Sequence, residues 1–240
     1  LCEMGIDKNA TIGIDESAQF FIYDGINKAN SHYNIINAQC VTAHCRMHKS
    51  ANELALMQRA MDMTLEGLHE ETGPGVLEAA ILVDDSLKSA DKAVIFKTFM
   101  KVLAQRKNLM ATFMAKWSEK YPGQSGHIHC SLVDMELEPV FSKENSVGMS
   151  KTMLYFLGGL QEYMREFSSL LAPTINSYKR LRPGAWAPIN MTWGKENRTV
   201  GFRVIEGQPT TQRIENRLGG ADANPYLALA ATLGAGLLGI

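Results

Sequence analysis

The chain has 240 residues, of which 45% are apolar and 20% are charged. This length can supply a sizeable core, and the composition excludes a disordered or fibrous protein. The net charge of −1 gives no general attraction to nucleic acid or to an anionic membrane. We expect no signal peptide and no transmembrane span, because the N-terminus lacks a basic segment followed by an apolar one, and no apolar run reaches the ~20 residues of a span.

The cysteines favour free thiols. Cys2, Cys40, Cys45 and Cys130 form no CxxC pair and have no zinc-ribbon spacing. We therefore expect a reducing compartment and a cytoplasmic protein, with a disulfide or a zinc role as the alternative.

The first half of the chain predicts two strands and two helices. In chain order they are a strand over 11–24, a helix over 51–67, a strand over 77–83 and a helix from 86 to about 105. The first strand is predicted from β-branched and aromatic residues, and the second helix from the Asp-Asp-Ser run that can cap it. The first helix has an apolar stripe that Gly67 is expected to end. The stripe consists of Leu54, Met57, Met61 and Leu65.

The second half predicts strands over 109–117 and 127–135, a helix over 151–171, short strands after residue 178 and a final capped helix. Pro225 suits the first turn of that last helix. Strands and helices do not alternate strictly, which favours an α+β fold over a doubly wound sheet. The expected buried face of the helix over 151–171 consists of Leu154, Leu157, Tyr163 and Phe167.

The segment HEETGPGVLEAAI places two carboxylates on either side of a stiff turn. Glu71 and Glu78 flank Gly73-Pro74-Gly75. The carboxylates either converge on a cation or remain in water beside a tight turn that leads into a buried strand.

Two further patterns are candidates for chemistry. His127 and His129 lie two residues apart, so both point to one side of a strand and can reach one site. A structural role for either imidazole is the alternative. Arg213, Glu215 and Arg217 also alternate, which predicts either a surface ion-pair ladder or an anion site beside a metal ligand.

Arginines are concentrated toward the end of the chain, and five of the ten lie in its last quarter. Arginine binds phosphate and carboxylate in a bidentate manner, so this set suits a polyanionic substrate. No P-loop and no GxGxxG turn occurs, so a nucleotide would be held by metals and arginines. Besides Arg213 and Arg217, the set consists of Lys179, Arg180, Arg182, Arg198 and Arg203.

Six motifs in fixed order resemble the catalytic domain of the glutamine synthetase family. They are HEETGPGVLE, KVLAQRKNLMATFMAKW, PGQSGHIHCSL, NSYKRLRPGAWAP, WGKENRTVGFRV and RIENRLGGADANPYLALAA, and they cover residues 50 to 235. The resemblance implies an α+β catalytic domain over 1–240, with a mainly antiparallel sheet forming an open funnel and helices outside. It also implies a fragment that lacks the family's small N-terminal β domain and its C-terminal end.

The resemblance implies roles for individual residues. The implied metal ligands are Glu71, Glu78, His127 and Glu215, with Glu70 as a weaker substitute for Glu71. The implied groups on the substrate side are Gly123 and His129, and Ser131 is implied in the nucleotide pocket. Arg180 and Arg217 resemble the arginines that hold glutamate and the transferred phosphoryl group. Arg198, Arg203 and Arg213 resemble those that neutralise ATP phosphates. The arginines implied in catalysis are Arg180, Arg203 and Arg217.

The implied reaction is an ATP-dependent ligation in which glutamate forms a γ-glutamyl phosphate, and ammonia or another amine then displaces phosphate. It would use ATP with two or three Mg²⁺ or Mn²⁺ ions, in a homo-oligomeric ring, with no nucleic acid or membrane partner. Positioning and charge neutralisation, rather than a protein nucleophile, are what phosphoryl transfer requires.

Three departures from the family pattern matter. Trp186 stands where the family has a flap glutamate, and an aromatic residue there can line a pocket for a larger or less polar amine. Ser17 and Gln19 stand where a metal-binding strand of the family would carry two glutamates, and Asp15 and Glu16 lie nearby. Val76 stands where the family often has a glutamine. A catalytically inactive assembly protein is therefore the alternative, and a phosphotransferase of the guanidino-kinase type is a third reading.

Overall fold

A computed structural model describes residues 6–15, 18–41, 50–62, 65–143 and 146–240. The chain divides into two compact units, Leu1–Arg59 and Ala60–Ile240. The assignment of 1–240 to a single catalytic domain stays a prediction.

The first unit contains two short parallel strands joined by a helix. Strand β1 is Thr11–Ile14, helix α1 is Phe20–Ala29, and strand β2 is Asn34–Asn37. The predicted strand over 11–24 is therefore wrong after residue 14. Aromatic residues favour strands only where a sheet surface can pack them, whereas Phe20 is 75% exposed in the first turn of α1.

Helix α2, Ala51–Asp62, begins with a reciprocal cap and ends before the predicted Gly67. The Ser50 hydroxyl accepts a hydrogen bond from the Glu53 amide, and the Glu53 carboxylate accepts one from the Ser50 amide. Leu65–Glu70 forms strand β3, which pairs antiparallel with β4, Leu77–Ile81. Gly67 lies at a bulge in this pair, where glycine often occurs. The side chains at 54, 57 and 61 lie outside the described part of the chain.

The next helix follows the prediction and the next strand does not. Helix α3 is Ser86–Arg106, and Asp85 caps it by accepting a hydrogen bond from the Lys88 amide at 2.9 Å. The predicted strand over 109–117 is wrong. Near its end the backbone bonds other segments, since the Asn176 side chain bonds both the amide and the carbonyl of Lys116, and the Ala115 carbonyl accepts from the Gln124 amide.

A mixed four-stranded sheet is the centre of the second unit. Its strands are β5 (Ile128–Cys130), β8 (Trp193–Lys195), β9 (Phe202–Ile205) and β10 (Arg213–Asn216), in the spatial order β5-β10-β9-β8. The first two pairs are antiparallel and β8 is parallel to β9. The predicted strand over 127–135 is thus shorter than expected. A separate hairpin pairs β6 (Ser142–Lys143) with β7 (Ser146–Met149).

The next helices are α4 (Lys151–Tyr163), α5 (Ser168–Leu171), α6 (Ile175–Tyr178) and α7 (Pro225–Leu237). Of these, α4 and α7 cover the apolar side of the sheet. Asn224 caps α7 and Pro225 occupies its first turn, as predicted. The core joins α4 and α7 to the sheet through residues that include Phe141, Phe156, Leu160, Phe202, Val204 and Ile214.

The buried face of α4 differs from the predicted one. Leu157 is buried, but Leu154 and Tyr163 are exposed, and Phe167 lies beyond the helix and packs against the core. The helix is rotated so that a fuller apolar stripe faces the core. That stripe consists of Met153, Phe156, Leu157, Leu160 and Met164.

Two further expectations concern membranes and thiols. Within the described part of the chain, no helix is long and apolar enough to cross a membrane. Cys40 and Cys130 are free thiols, as predicted, while Cys2 and Cys45 lie outside the described residues.

Candidate active site

The face of the sheet opposite the core is polar. Along β10, Ile214 and Asn216 are fully buried in the interior, so by strand alternation Arg213 and Glu215 point to the other face. Glu215 lies directly opposite His129 on β5 and opposite Arg203 on β9. The sheet register therefore creates a row of imidazole, carboxylate and guanidinium.

Glu215 is the centre of this row, and its side chain is only 3% exposed. Its Oε2 accepts a hydrogen bond from Nη1 of Arg203 at 3.2 Å. Its Oε1 contacts Nη1 of Arg217 and lies 3.0 Å from Nδ1 of His127 and 3.9 Å from Nε2 of His129. Of the predicted alternation, Glu215 and Arg217 form a buried pair rather than a surface ladder, while Arg213 is only partly buried and bonds His129.

The carboxylate is ionised despite its burial. Burial by itself raises the pKa of Glu215, but the hydrogen bond with His127 and the charge of Arg217 outweigh it and lower the pKa to about 2. Two arginines therefore hold a negative charge in a protected position.

His127 has the geometry of a metal ligand. Burial lowers its pKa, so the imidazole is neutral at pH 7. Its Nδ1 faces Glu215, while its Nε2 is buried and has no hydrogen-bond partner among the described residues. A carboxylate that holds one imidazole nitrogen and leaves the other free is typical of metal-binding histidines. Because Nε2 of His127 is free in the described part of the chain and Glu215 holds the other nitrogen, these two residues fit a divalent cation.

His129 is also neutral at pH 7. Its Nδ1 accepts a hydrogen bond from Nε of Arg213 at 3.1 Å, which a protonated nitrogen could not do. Burial first, and the nearby arginines second, lower its pKa to about 4. His127 and His129 reach one carboxylate, as the two-residue spacing predicted.

The β3–β4 hairpin forms a second cluster. His69 is paired with Glu78 across the ladder, and its Nε2 lies 3.5 Å from Oε1 of Glu71 and 3.5 Å from Oε2 of Glu78. These three side chains can offer ligand atoms that all lie within 4.8 Å of one another. Glu70 does not belong to this group, so Glu71 is the better candidate ligand, as the sequence indicated. The two carboxylates converge, which favours a cation site at this turn over carboxylates that remain in water.

The two carboxylates of the hairpin influence each other. Burial, followed by the hydrogen bond and charge of Glu71, raises the pKa of Glu78, and the hydrogen bond with Glu78 lowers the pKa of Glu71. The charge of Glu215 also raises the pKa of Glu78. The carboxylates of Glu78 and Glu215 are therefore within electrostatic range of each other.

Arg180 is buried beneath the site, with 2% exposure. Its Nη2 donates to the backbone carbonyls of Leu218 and Gly219 at 2.5 and 3.0 Å. A side chain at Gly123 would overlap the Arg180 side chain and the Ala115 carbonyl, so glycine permits this close packing. The predicted contacts of Arg180 and Gly123 with substrate stay predictions.

Arg217 links the cluster to two loops. Its Nε donates to the carbonyl of Arg198 at 3.0 Å, and its Nη2 approaches the carbonyl of Trp186 at 3.4 Å. Trp186 has a φ of 54° and its residue is 65% exposed. Ser131 is exposed just after β5. The predicted roles of Ser131, Trp186 and Arg198 stay predictions.

Two residues of the first predicted metal strand, Glu16 and Ser17, lie outside the described residues. Gln19 immediately precedes α1 rather than lying in a strand. The loss of two acidic ligands there stays a prediction.

Three residues near the site were missed from the sequence. His69 belongs to the motif HEETGPGVLE, but its pairing with Glu78 on the neighbouring strand depends on the register of the hairpin. Glu196 forms an ion pair with Arg203. Asp222 accepts a hydrogen bond from Ser177 at 2.6 Å. No sequence pattern points to the last two, because their partners are set by tertiary contacts.

The family relationship is extensive. The family model named glutamine synthetase, catalytic domain, matches residues 10–240 of the sequence. The chain is 42% identical over 213 residues to a glutamate–isopropylamine ligase of a Pseudomonas species, covering 85% of this chain and 46% of that protein. It is 46% identical over 191 residues to type-1 glutamine synthetase 2 of Dictyostelium discoideum, covering 79% and 36%.

Another relative and a solved structure agree. Gamma-glutamylethanolamide synthetase GlnA4 of Streptomyces coelicolor is 40% identical over 220 residues, covering 91% of this chain and 46% of that protein. A GmaS/ADP complex matches with a TM-score of 0.67 and 34% identity, covering 78% of this chain and 45% of that one. The chain spans about half the length or less of these relatives. The predicted α+β fold is confirmed, and the chain belongs to the glutamine synthetase family.

Proposed function

We propose that the protein is an ATP-dependent ligase that joins glutamate to ammonia or another amine through a γ-glutamyl phosphate. The observation that carries the proposal is the row formed by His129, Glu215 and Arg203, with His127 and Arg217 on the same carboxylate. Relatives with this catalytic domain are named as ligases that form glutamine or other glutamyl amides. The family relationship and the charged cluster support catalysis over the inactive alternative.

The chain's own residues supply charge and position. Arg203 and Arg217 remain charged beside Glu215, and with Arg198 and Arg213 they would neutralise ATP phosphates and the transferred phosphoryl group. Arg180 would act with them on glutamate, with Gly123 and His129 on the substrate side and Ser131 toward the nucleotide.

Divalent metal would be held by two groups of ligands. Glu71 and Glu78 would hold one ion, and His127 and Glu215 would hold the other, as Mg²⁺ or Mn²⁺. When bound, the ions supply charge neutralisation to the phosphates and to the attacking carboxylate.

The identity of the amine is a finer proposal. The backbone carbonyl of Trp186 approaches Arg217, and this exposed tryptophan stands where the family has a flap carboxylate. A less polar amine than ammonia suits an aromatic surface. We also propose a cytoplasmic, homo-oligomeric ring whose partners are small-molecule substrates, on the basis of the family relationship.

A phosphate-release assay on the full-length protein tests the function. The reaction should contain ATP, glutamate, Mg²⁺ and one of a panel of amines. We expect phosphate release that requires both glutamate and an amine, and formation of the matching amide by mass spectrometry. Release that is independent of glutamate, or no release with any amine, would reject the ligase assignment.

A further inference from the structure

We propose that His69 supplies a nitrogen ligand to the cation site of Glu71 and Glu78, so that this site favours Mn²⁺ or Co²⁺ over Mg²⁺. The proposal rests on the proposed function, because it assigns a chemistry to one of the two metal sites. It adds a ligand that the six motifs did not assign.

The distances fit a shared ion. Nε2 of His69 lies 3.5 Å from one oxygen of each carboxylate. That separation is long for a hydrogen bond between nitrogen and oxygen. It is close to the spacing of atoms on one cation, since ligand bonds of ~2.1 Å place neighbouring ligand atoms roughly 3 to 3.5 Å apart. The imidazole thus has the same spacing to both carboxylates, as a third ligand would.

The hairpin prepares this arrangement. His69 and Glu78 are direct partners in the β3–β4 ladder, and Glu71 follows His69 by two residues. The turn is closed by a hydrogen bond of 2.9 Å from the Glu71 amide to the Val76 carbonyl. Gly73 and Gly75 have φ values of 122° and 71°, which other residues rarely adopt. The ligand atoms are therefore held by a constrained turn and by strand pairing.

The cluster is open to solvent, so an ion can enter without a large rearrangement. The side chains of His69, Glu71 and Glu78 are 59%, 44% and 51% exposed. The donor set then decides which ion is preferred. Two carboxylates with water suit Mg²⁺, which prefers oxygen ligands, whereas an imidazole nitrogen raises the preference for transition-metal ions.

Titration calorimetry on the full-length protein tests the proposal with Mg²⁺, Mn²⁺ and Co²⁺ as separate probes. The His69→Gln variant removes the nitrogen donor but keeps a side chain of similar reach. We expect Mn²⁺ and Co²⁺ affinity at one site to fall about tenfold, with Mg²⁺ affinity unchanged. His32→Gln is the matched control, because His32 is exposed in the first unit, and it should bind all three ions like the wild type.

A spectroscopic readout and a second variant keep the test decisive. Pulsed EPR of bound Mn²⁺ should lose one nitrogen coupling in His69→Gln and keep it in His32→Gln. His69→Asp, which replaces nitrogen with oxygen, should shift the Mn²⁺ to Mg²⁺ affinity ratio toward Mg²⁺. Unchanged coupling, or an equal loss of affinity for all three ions, would overturn the proposal.

The outcome is separable from that of the proposed function. If the wild type shows no amine-dependent phosphate release, the ligase assignment fails, while the ratio of ion affinities still decides the role of His69. If release is normal and His69→Gln leaves the ratio unchanged, only the ligand assignment fails.

Discussion

At the scale of single residues, Glu215 combines burial with charge. Each of its oxygens faces an arginine, and one oxygen also faces His127. Arg217 is itself buried, with a side chain that is 6% exposed. Removing one member of a buried ion pair leaves its partner uncompensated, so these residues are coupled in stability as well as in chemistry.

The Glu215→Gln variant should therefore be destabilised. Because it leaves the buried Arg217 without its carboxylate, and Arg203 with Glu196 alone, we expect a loss of about 3 kcal/mol in the free energy of unfolding. Urea denaturation of the full-length protein measures this loss. Glu206→Gln is the control, since Glu206 forms a more exposed pair with Lys195 at 2.7 Å, and its loss should be below about 1 kcal/mol. Equal losses in the two variants would contradict the description of the cluster.

The pKa shifts predict acid sensitivity in two windows. The pKa of His129 is about 4 in the folded protein instead of 6.5. Between pH 6.5 and pH 4 the unfolded chain therefore binds a proton at His129 that the folded protein does not, so stability falls as the pH decreases through this range. The folded pKa of Glu215 is about 2 instead of 4.5, so its contribution is present above pH 4.5 and is lost toward pH 2.

Unfolding free energies measured from pH 7 to pH 3 test the first window. His129→Gln should flatten the slope between pH 6.5 and pH 4, because it removes the titrating group. His32→Gln should leave the slope unchanged. A slope that is the same in wild type and His129→Gln would show that His129 titrates normally in the folded protein.

Trp186 should set the choice of amine. Trp186→Glu places a carboxylate beside the cluster, which favours ammonium over a less polar amine, so the ratio of kcat/KM for ammonia to that for an alkylamine should rise at least about tenfold. Steady-state phosphate release on the full-length protein measures this ratio. Tyr155→Glu is the control, because Tyr155 is an exposed aromatic residue on α4. An unchanged ratio in Trp186→Glu would refute the hypothesis that Trp186 lines the amine pocket.

At the scale of elements, local patterns predicted the caps and the functional strand. Asp85 and Asn224 cap α3 and α7, and alternation along β10 placed Arg213 and Glu215 on one face. Boundaries set by tertiary pairing were not predictable. Leu65 continued a helical stripe in the sequence but pairs with Ile81 in the hairpin. The segment over 109–117 has strand-like composition, but it forms no strand, and at Lys116 its backbone bonds the Asn176 side chain.

The contact between α4 and α7 depends on close approach. A side chain at Gly236 would overlap the ring of Phe156, which is fully buried in the core. Gly236→Ala should therefore reduce the free energy of unfolding by about 1–3 kcal/mol through overpacking.

Gly234→Ala is a matched control on the same helix. Its added methyl group would meet no atom within 4 Å, so helix propensity alone should stabilise the protein by about 0.5–1 kcal/mol. Thermal and urea denaturation measure both variants. The same sign of change in the two variants would contradict the packing of α4 against α7.

At the scale of the whole molecule, the candidate site combines segments that are distant in sequence. The hairpin at 69–78, the strand at 128–130 and the strands at 202–205 and 213–216 all belong to the second compact unit. The motifs identified most of the candidate residues through the family resemblance. The register that places His129 and Arg203 on either side of Glu215, and His69 opposite Glu78, is a property of strand pairing that residue types alone do not specify.

The most direct test is calorimetry of the full-length protein with a non-hydrolysable ATP analogue, with and without Mg²⁺ or Mn²⁺. We predict nucleotide binding that requires the metal, is weakened about tenfold or more in Glu215→Gln and is unchanged in Glu206→Gln. Nucleotide binding that ignores both the metal and the loss of Glu215, or no binding under any of these conditions, would contradict a metal and phosphate site built on Glu215.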